Sequence, residues 1–125
     1  MRIPQMVEPI LEKLGLVQRP SLDLAGLSLL YGNWCRKVPF DNLRKRLLYG
    51  GGGEGPVPGH NSQDFFETWL AHGTGGTCWA TTHALHDLLS ELSFPTTRGA
   101  GTMLAAPGVV GPTHGTAVVT LEDRQ

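Results

Sequence analysis

Along the first 95 residues of the chain, apolar side chains recur every three or four positions, which is the spacing of amphipathic helices. The clearest stripe consists of Met6, Val7, Ile10, Leu11 and Leu14. Gly15 follows this stripe directly, and glycine is the usual residue just past the end of a helix. The pattern therefore predicts a first helix that stops at Gly15.

Two further helices are predicted from their stripes and their capping residues. The second begins at Ser21, a good N-cap, and ends before Pro39, because the residue before a proline avoids the helical region. The third is capped by Asn61 or Ser62 and closes at Gly73. Their apolar stripes are Leu24, Leu27, Leu30 and Trp34 in the second helix, and Phe65, Phe66, Trp69 and Leu70 in the third.

A fourth helix is predicted to begin near Cys78 and to continue through Leu92, with Pro95 as its terminator. One face of it would carry Cys78, Thr81, Leu85, Leu88 and Leu92. After Pro95 the pattern changes. A strand within residues 96–104, a Gly- and Pro-rich loop over 105–112 and a strand over 116–121, buried on both faces, are expected. Helices followed by strands predict an α+β fold, with a helical domain at 1–95 and a strand domain at 96–125.

Two strands cannot bury their own faces, so we expect this sheet to be incomplete within the chain. A further C-terminal part of the protein, or self-association, would complete it. The other gross features indicate an ordinary small globular protein. The chain has 125 residues, of which 40% are hydrophobic and 17% charged, and a net charge of −1.

The charge balance argues against a nucleic-acid or anionic-membrane surface. No apolar run approaches the roughly 18 residues of a membrane span, and the N-terminus lacks the pattern of a signal peptide. A cytoplasmic protein with two reduced cysteines, Cys35 and Cys78, is therefore expected. A disulfide between these cysteines is the alternative.

Cys78 is the strongest candidate for chemistry because it lies at a predicted helix start, after Gly75 and Gly76. Unpaired N–H groups and the helix dipole favour a thiolate there, and the thiolate is the nucleophilic form. His114 is its candidate partner, since it precedes a strand and is flanked by small residues such as Gly115. Each residue also has a structural interpretation, a buried thiol and a solvated imidazole.

Two other motifs carry weaker alternatives. His83 and His86, one turn apart, could contribute two metal ligands, but no CxxC or HExxH accompanies them. The glycine run over 50–53 could bind phosphate, but it lacks the Lys-Ser/Thr ending of a P-loop and is expected to be a flexible surface loop.

Several ordered blocks of the chain resemble arylamine N-acetyltransferases. Ile10–Leu16 is similar to the opening helix of that family, and Val38–Leu43 to its Val-Pro-Phe-Glu-Asn-Leu segment. Gly75–Trp79, followed by Ala84–Leu89, resembles its Arg-Gly-Gly-x-Cys block and helix. His114–Thr116 then falls where the family has its catalytic histidine. The resemblance extends over nearly the whole chain.

This resemblance implies a papain-like fold, in which a helical bundle is followed by the first strands of a β-barrel. It implies that Cys78 takes an acyl group from acetyl-CoA as a thioester and passes it to an arylamine-type acceptor in a ping-pong cycle, while His114 moves protons. No metal is implied. The substrate would be bound by Phe40 in the second block, by Thr77 and Trp79 on either side of the thiol, and by Gly115.

The chain also departs from the family pattern. Thr74 stands where the family has Arg, and Ala80 where it has Glu or Gln. The Asp of the family's Cys-His-Asp triad would lie past Gln125, because Asp123 comes too early and falls in a turn. Three alternatives therefore stay open: an amide synthase of the same family, another papain-like enzyme such as a hydrolase, and a truncated or degenerate, non-catalytic relative.

Overall fold

The computed structural model describes residues 2–105, 107–108 and 110–122, which form five helices and one two-stranded antiparallel sheet. The fold is therefore a mixture of α and β structure, as predicted, and closure of a barrel is not seen in these ranges. The elements are α1 (Ile3–Leu14), α2 (Leu24–Lys37), α3 (Leu43–Gly50), α4 (Ser62–His72), α5 (Cys78–Glu91), β1 (Thr96–Gly101) and β2 (His114–Val119). No helix among the described residues is long and apolar enough to cross a membrane.

The hydrophobic core is formed by residues between Met6 and Phe94, so it belongs to the helical part of the chain. All five residues of the predicted first stripe are buried in α1, and Gly15 ends that helix in the left-handed conformation. At the centre, the Phe66 ring lies 5.5 Å from Phe65, 6.1 Å from Trp34 and 6.4 Å from Trp69, measured between ring centroids. The packing of α1 and α4 thus follows from their apolar stripes, and Leu30 and Trp34 of the predicted α2 stripe are buried as well.

The predicted boundaries of α4 are confirmed at both ends. The Asn61 side chain accepts a hydrogen bond from the Asp64 N–H, which makes Asn61 the N-cap, and Gly73 closes the helix in the left-handed conformation. Lys13 of α1 donates to the carbonyl of Leu70 at 3.0 Å and so satisfies a carbonyl in the last turn of α4.

The predicted start of α2 at Ser21 is wrong. Asp23 is the N-cap, because its carboxylate accepts from the Gly26 N–H at 2.8 Å, while Ser21 donates its hydroxyl to that same carboxylate. The stripe is also displaced, since Leu24 is half exposed and Gly26 is buried in its place. A carboxylate outcompetes a hydroxyl for the helix N–H groups.

Helix α3 was not predicted. Its eight residues include none that is buried: Leu43, Leu47 and Tyr49 are exposed, and Leu48 is half-buried. So short a helix, with no side-chain N-cap, gives only a weak signal in the sequence. Its side chains Arg44 and Lys45 bond to α4 and to Thr77.

The buried face of α5 also differs from the prediction. Ala80, Ala84, Leu88 and Leu89 are buried within the helix, whereas Cys78, Thr81 and Leu85 are half-buried. The helix ends at Glu91, and Leu92 is its C-cap. The face that carries Cys78 therefore lies at the margin of the core, where β2 packs against it.

The burial of the hairpin that follows α5 differs from the prediction. β1 and β2 pair antiparallel, with Gly101 opposite His114 and Thr96 opposite Val119. The second strand begins at His114, two residues earlier than predicted, and it is not buried on both faces: the exposed fraction of Val118 is 52%. One face of the two-stranded sheet rests on α5, and residues such as Val118 lie on the other, which no described element covers.

Candidate active site

Two of the blocks that carry the family resemblance lie in contact just before α5. Phe40 forms a parallel β-bridge with Gly76, and the Asp41 N–H donates to the Gly76 carbonyl at 3.1 Å. The Asp41 carboxylate accepts from the Gly75 N–H at 2.9 Å. A Cβ atom on Gly75 would lie 1.6 Å from the carbonyl oxygen of Pro39, so glycine is required at this crossing.

Cys78 is the first residue of α5, as predicted, and it is a half-buried free thiol. Thr77 occupies the N-cap position, but its hydroxyl does not cap the helix. It accepts a hydrogen bond from the Lys45 ammonium of α3 at 2.7 Å instead. The first turn also lacks an acidic side chain. The positive end of the helix is therefore not neutralised by its own residues around Cys78.

The strand that carries His114 is seated on the first turns of α5 by its next residue, Gly115. A Cβ atom on Gly115 would lie 2.7 Å from Cε3 of Trp79, so the strand backbone lies directly on the indole ring. The Thr82 hydroxyl donates to the Gly115 carbonyl at 3.2 Å. Residues adjacent to Cys78 and to His114 are therefore in contact, although the two are far apart in the sequence.

Cys78 and His114, the two residues predicted to be catalytic, are not joined by a hydrogen bond in this structure. His114 is exposed, and among the described residues its ring has neither the Cys78 thiol nor a carboxylate as a partner. Asp123 lies outside the described residues. His114 lines an open cleft between α2, α5 and β2 together with Tyr31 and Leu85.

The predicted substrate-binding residues fall on different sides of this region. Phe40 is 71% exposed and lines a surface cleft with Thr81 and Leu85. Thr77, Trp79 and Gly115 line another cleft, and residues of the α3–α4 loop form part of its wall. The structure thus brings Thr77, Trp79 and Gly115 together and leaves Phe40 apart from them.

Ala80 and Thr74, the two residues that differ in type from the family pattern, both lie within the described structure. Ala80 is buried beneath the loop, and a Cβ on Gly59 would lie only 2.6 Å from the Ala80 Cβ, so a longer side chain at position 80 would displace the loop. The hydroxyl oxygen of Thr74 is buried without a hydrogen-bond partner among the described residues. Such an orphaned hydroxyl is costly, and nothing in the structure explains it.

Asp87, on α5, is the centre of the most connected polar cluster. Its carboxylate accepts hydrogen bonds from Ser62 of α4 and, at 2.7 Å, from Arg98 of β1. It also contacts His86 Nδ1 at 2.8 Å and His83 Nε2 at 3.4 Å. Burial opposes ionisation of Asp87, but the hydrogen bonds from Ser62, His86 and Arg98 together hold the pKa of this carboxyl below its usual range.

A second ion pair attaches α3 to α4. Arg44 donates two hydrogen bonds, of 2.9 and 3.0 Å, to the two carboxylate oxygens of Asp64. These bonds, aided by the Gly59 N–H at 2.7 Å, hold the pKa of Asp64 below its usual range although burial opposes the shift.

Sequence reasoning did not identify Lys45, Asp87 or Arg98 as site residues. Their partners lie on other elements, at separations that no local motif records. His83 and His86 both face Asp87, but no group of three or more side chains among the described residues has the arrangement of a metal site. Compared with models of known protein families and with curated proteins, the chain matches none.

Proposed function

We propose that this chain carries the nucleophile and the histidine of an arylamine N-acetyltransferase-like enzyme. In this proposal Cys78 accepts an acyl group from acetyl-CoA, and a small amine then receives it. The hairpin is the opening of the β-barrel of a papain-like arrangement, and a cytoplasmic location goes with it because the thiol must stay reduced.

The observation that carries the proposal is the convergence of three separate sequence blocks at the first turn of α5. The segment around Asp41 is hydrogen-bonded to Gly75 and Gly76, and Gly115 rests on Trp79. Residues flanking the nucleophile and the histidine are thereby brought into contact. A helix-borne cysteine beside a strand-borne histidine is the layout of papain-like enzymes.

The chemistry assigned to the residues is a double displacement. The Cys78 thiolate forms a C–S bond with the acyl carbonyl, and the CoA thiolate leaves. The amine nitrogen then forms a C–N bond with the acyl group, and the Cys78 thiolate is the second leaving group. His114 accepts the proton that the amine loses and supplies the one that the CoA thiolate takes up.

A non-catalytic relative that acts as a binding module is the second candidate. It is favoured by the exposed His114 ring, which has no bond to Cys78. The unpartnered hydroxyl of Thr74, at a position where the family has a charged side chain, points the same way.

Alkylation by iodoacetamide across a range of pH separates the two candidates, with Cys35 as the internal control. Cys35 is exposed and Cys78 is half-buried, so accessibility alone predicts faster labelling of Cys35. The proposal predicts the opposite order at neutral pH, because an activated nucleophile reacts faster than its exposure alone would allow. Labelling of Cys35 at an equal or greater rate would exclude Cys78 as an activated nucleophile.

Three variants sharpen this experiment. His114→Gln is expected to slow labelling of Cys78 and to leave labelling of Cys35 unchanged. Incubation with acetyl-CoA is expected to add one acetyl group to the Cys35→Ser variant and none to Cys78→Ser, as read by intact-protein mass spectrometry. Acetylation that persists in Cys78→Ser would show that the thioester is not formed there.

A further inference from the structure

The cleft lined by Thr77, Trp79 and Gly115 lies beneath the end of the α3–α4 loop, and neither Cys78 nor His114 lines it. Its volume is about 260 Å³. Pockets for drug-sized ligands span roughly 300–1,000 Å³, so this cleft suits a small chemical group. Its polar and aromatic lining includes Lys45, His60, Thr77, Trp79, His83 and Arg98.

The cleft is lined by cationic and imidazole side chains and by no carboxylate. Lys45 comes from α3, His60 from the loop, His83 from α5 and Arg98 from β1, so four separate segments supply them. Such convergence does not follow from a run of charge in the sequence. It is typical of a site that receives an anion.

The neighbouring carboxylates leave one of these cations without a partner. Asp87 pairs with Arg98 of the cleft at 2.7 Å, so that charge is largely balanced, and Asp64 pairs with Arg44 at 2.9 Å. Lys45 has no carboxylate within 4.0 Å in the part of the chain that the structure describes, and its one hydrogen-bond partner there is the neutral hydroxyl of Thr77. The ammonium group of Lys45 is therefore a half-buried positive charge without a counter-ion among these residues.

The start of α5 adds to the positive potential. Lys45 holds the Thr77 hydroxyl away from the N–H groups of the first turn, so the helix has no side-chain cap. Thr77, Trp79 and Ala80 of this first turn border the cleft. An ammonium group and an uncapped helix start on one small cleft form the combination that binds phosphate oxygens in other proteins.

We propose that this cleft binds the phosphate group of a small molecule, with Lys45 as the principal contact and Arg98, His60 and His83 around it. The glycine run over 50–53 does not itself form the site. The loop that follows it contributes sterically: Gly59, near the end of the α3–α4 loop, lies against Ala80 and closes one side of the cleft. This inference does not depend on acyl transfer by Cys78.

Titration of the full chain with inorganic pyrophosphate, at constant ionic strength set with chloride, tests the proposal. Trp79 is 51% exposed on the cleft whereas Trp34 and Trp69 are buried, so a saturable change in tryptophan fluorescence is expected from Trp79. Amide chemical shifts in a nitrogen-15 spectrum are expected to move at Gly59, Thr77 and Gly99, which border the cleft.

Lys45→Gln is expected to weaken pyrophosphate binding about 10- to 100-fold, as loss of a charged hydrogen bond does. Lys45→Arg keeps the charge and is expected to retain most of the binding. The matched control is Lys37→Gln, which removes an exposed lysine at the end of α2, outside the cleft, and is expected to leave the affinity unchanged. Circular dichroism confirms that each variant is folded.

Absence of saturable binding to the unmodified chain would overturn the proposal, as would an equal loss in Lys45→Gln and Lys37→Gln. A repeat titration in the presence of CoA identifies the source of the phosphate. Competition assigns the site to the acyl donor of the proposed function, and simultaneous binding assigns it to a second phosphate-bearing ligand; both outcomes support the anion site. Failure of pyrophosphate to bind leaves the Cys78 labelling test unaffected, so the two hypotheses fail separately.

Discussion

The helices and the hairpin are held in place by different kinds of interaction. Residues 6–94 supply every buried hydrophobic side chain of the described chain, whereas Val119 and Leu121 of the hairpin region pack on that core only in part. The hairpin is attached through individual contacts: the Arg98–Asp87 ion pair, the bond from Thr82 to the Gly115 carbonyl and the stacking of Gly115 on Trp79.

Because of this difference, the helical core determines the stability of the chain, whereas the hairpin contacts determine the geometry of the candidate site. Burial of many apolar side chains is non-directional and tolerates small shifts. The hairpin, which packs only Val119 and Leu121 partly on the core, is positioned largely by the geometry of these individual contacts, so one substitution can move it. We therefore expect core variants to alter the free energy of unfolding of the whole chain, and variants at the hairpin contacts to alter the position of β2 as well.

The largest effect is expected from Phe66→Ala. Phe66 is fully buried, and its ring packs against the rings of Trp34, Phe65 and Trp69. Removal of the Phe66 ring leaves a cavity and removes these three contacts. The free energy of unfolding should fall by about 3–5 kcal/mol, as measured by urea denaturation. Val118→Ala, on the exposed face of the hairpin, is the control and is expected to cost less than about 1 kcal/mol. Comparable losses in both variants would mean that the hairpin belongs to the core.

A smaller loss is expected from Asp87→Asn, because the charged acceptor of hydrogen bonds from α4 and β1 disappears. Loss of hydrogen bonds to a charged group costs about 1.5–3 kcal/mol, and the partial exposure of Asp87 favours the lower end. Hydrogen exchange should quicken at the amides of β1 and β2 more than at those of α1. Uniform acceleration in all elements would show that Asp87 stabilises the core rather than the attachment of the hairpin.

The carboxylates of Asp87 and Asp64 make the stability of the folded chain depend on pH. The pKa values of Asp87 and Asp64 are lower in the folded chain than in the unfolded chain, where the pKa of Asp is about 3.9. Their contribution to stability is therefore complete above that unfolded value and is lost as the pH falls through it toward the folded values. The urea midpoint of the unmodified chain should drop in this acidic range, and that of Asp87→Asn should drop less.

The smallest effect on stability is expected from Gly115→Ala, although it changes the site most directly. The added methyl group would meet Trp79 at 2.7 Å, and the strand or the indole ring must move. Because Trp79 is half exposed and can turn, the cost should be about 1–2 kcal/mol. Gly101→Ala is the matched control: it lies opposite His114 in the same hairpin, and its Cβ would meet no atom within 4 Å.

The labelling rate of Cys78 is the second measurement for this pair. It should change in Gly115→Ala, because His114 and the strand beneath it are displaced, and it should be unchanged in Gly101→Ala. Equal labelling rates of Cys78 in both variants would show that the position of β2 does not affect the reactivity of the thiol.

The helical fold could be predicted wherever burial and capping act locally. The stripe from Met6 to Leu14 and the caps at Asn61 and Gly73 are properties of neighbouring residues, and each is confirmed. The prediction that β2 is buried on both faces was wrong, because apolar residues on both faces of a strand cannot show whether a second layer covers it. Helix α3 was missed because it is only eight residues long and has no side-chain N-cap.

The candidate site was predictable only in part, for a related reason. Cys78 at a helix start and His114 at a strand start are local features, and both are confirmed. The Lys45–Thr77 bond and the cluster around Asp87 join residues from different elements, so their pairing exists only after folding. No periodicity or spacing records such contacts.

The absence of buried residues in α3 has a consequence for the motions of this chain. A segment that has no buried residue of its own and is secured largely by Arg44 and Lys45 is expected to open more readily than the core. Detachment of α3 would break the Lys45–Thr77 bond and leave the Thr77 hydroxyl without that donor. The opening of one short surface helix would thus change the hydrogen bonding at the start of α5, where Cys78 lies.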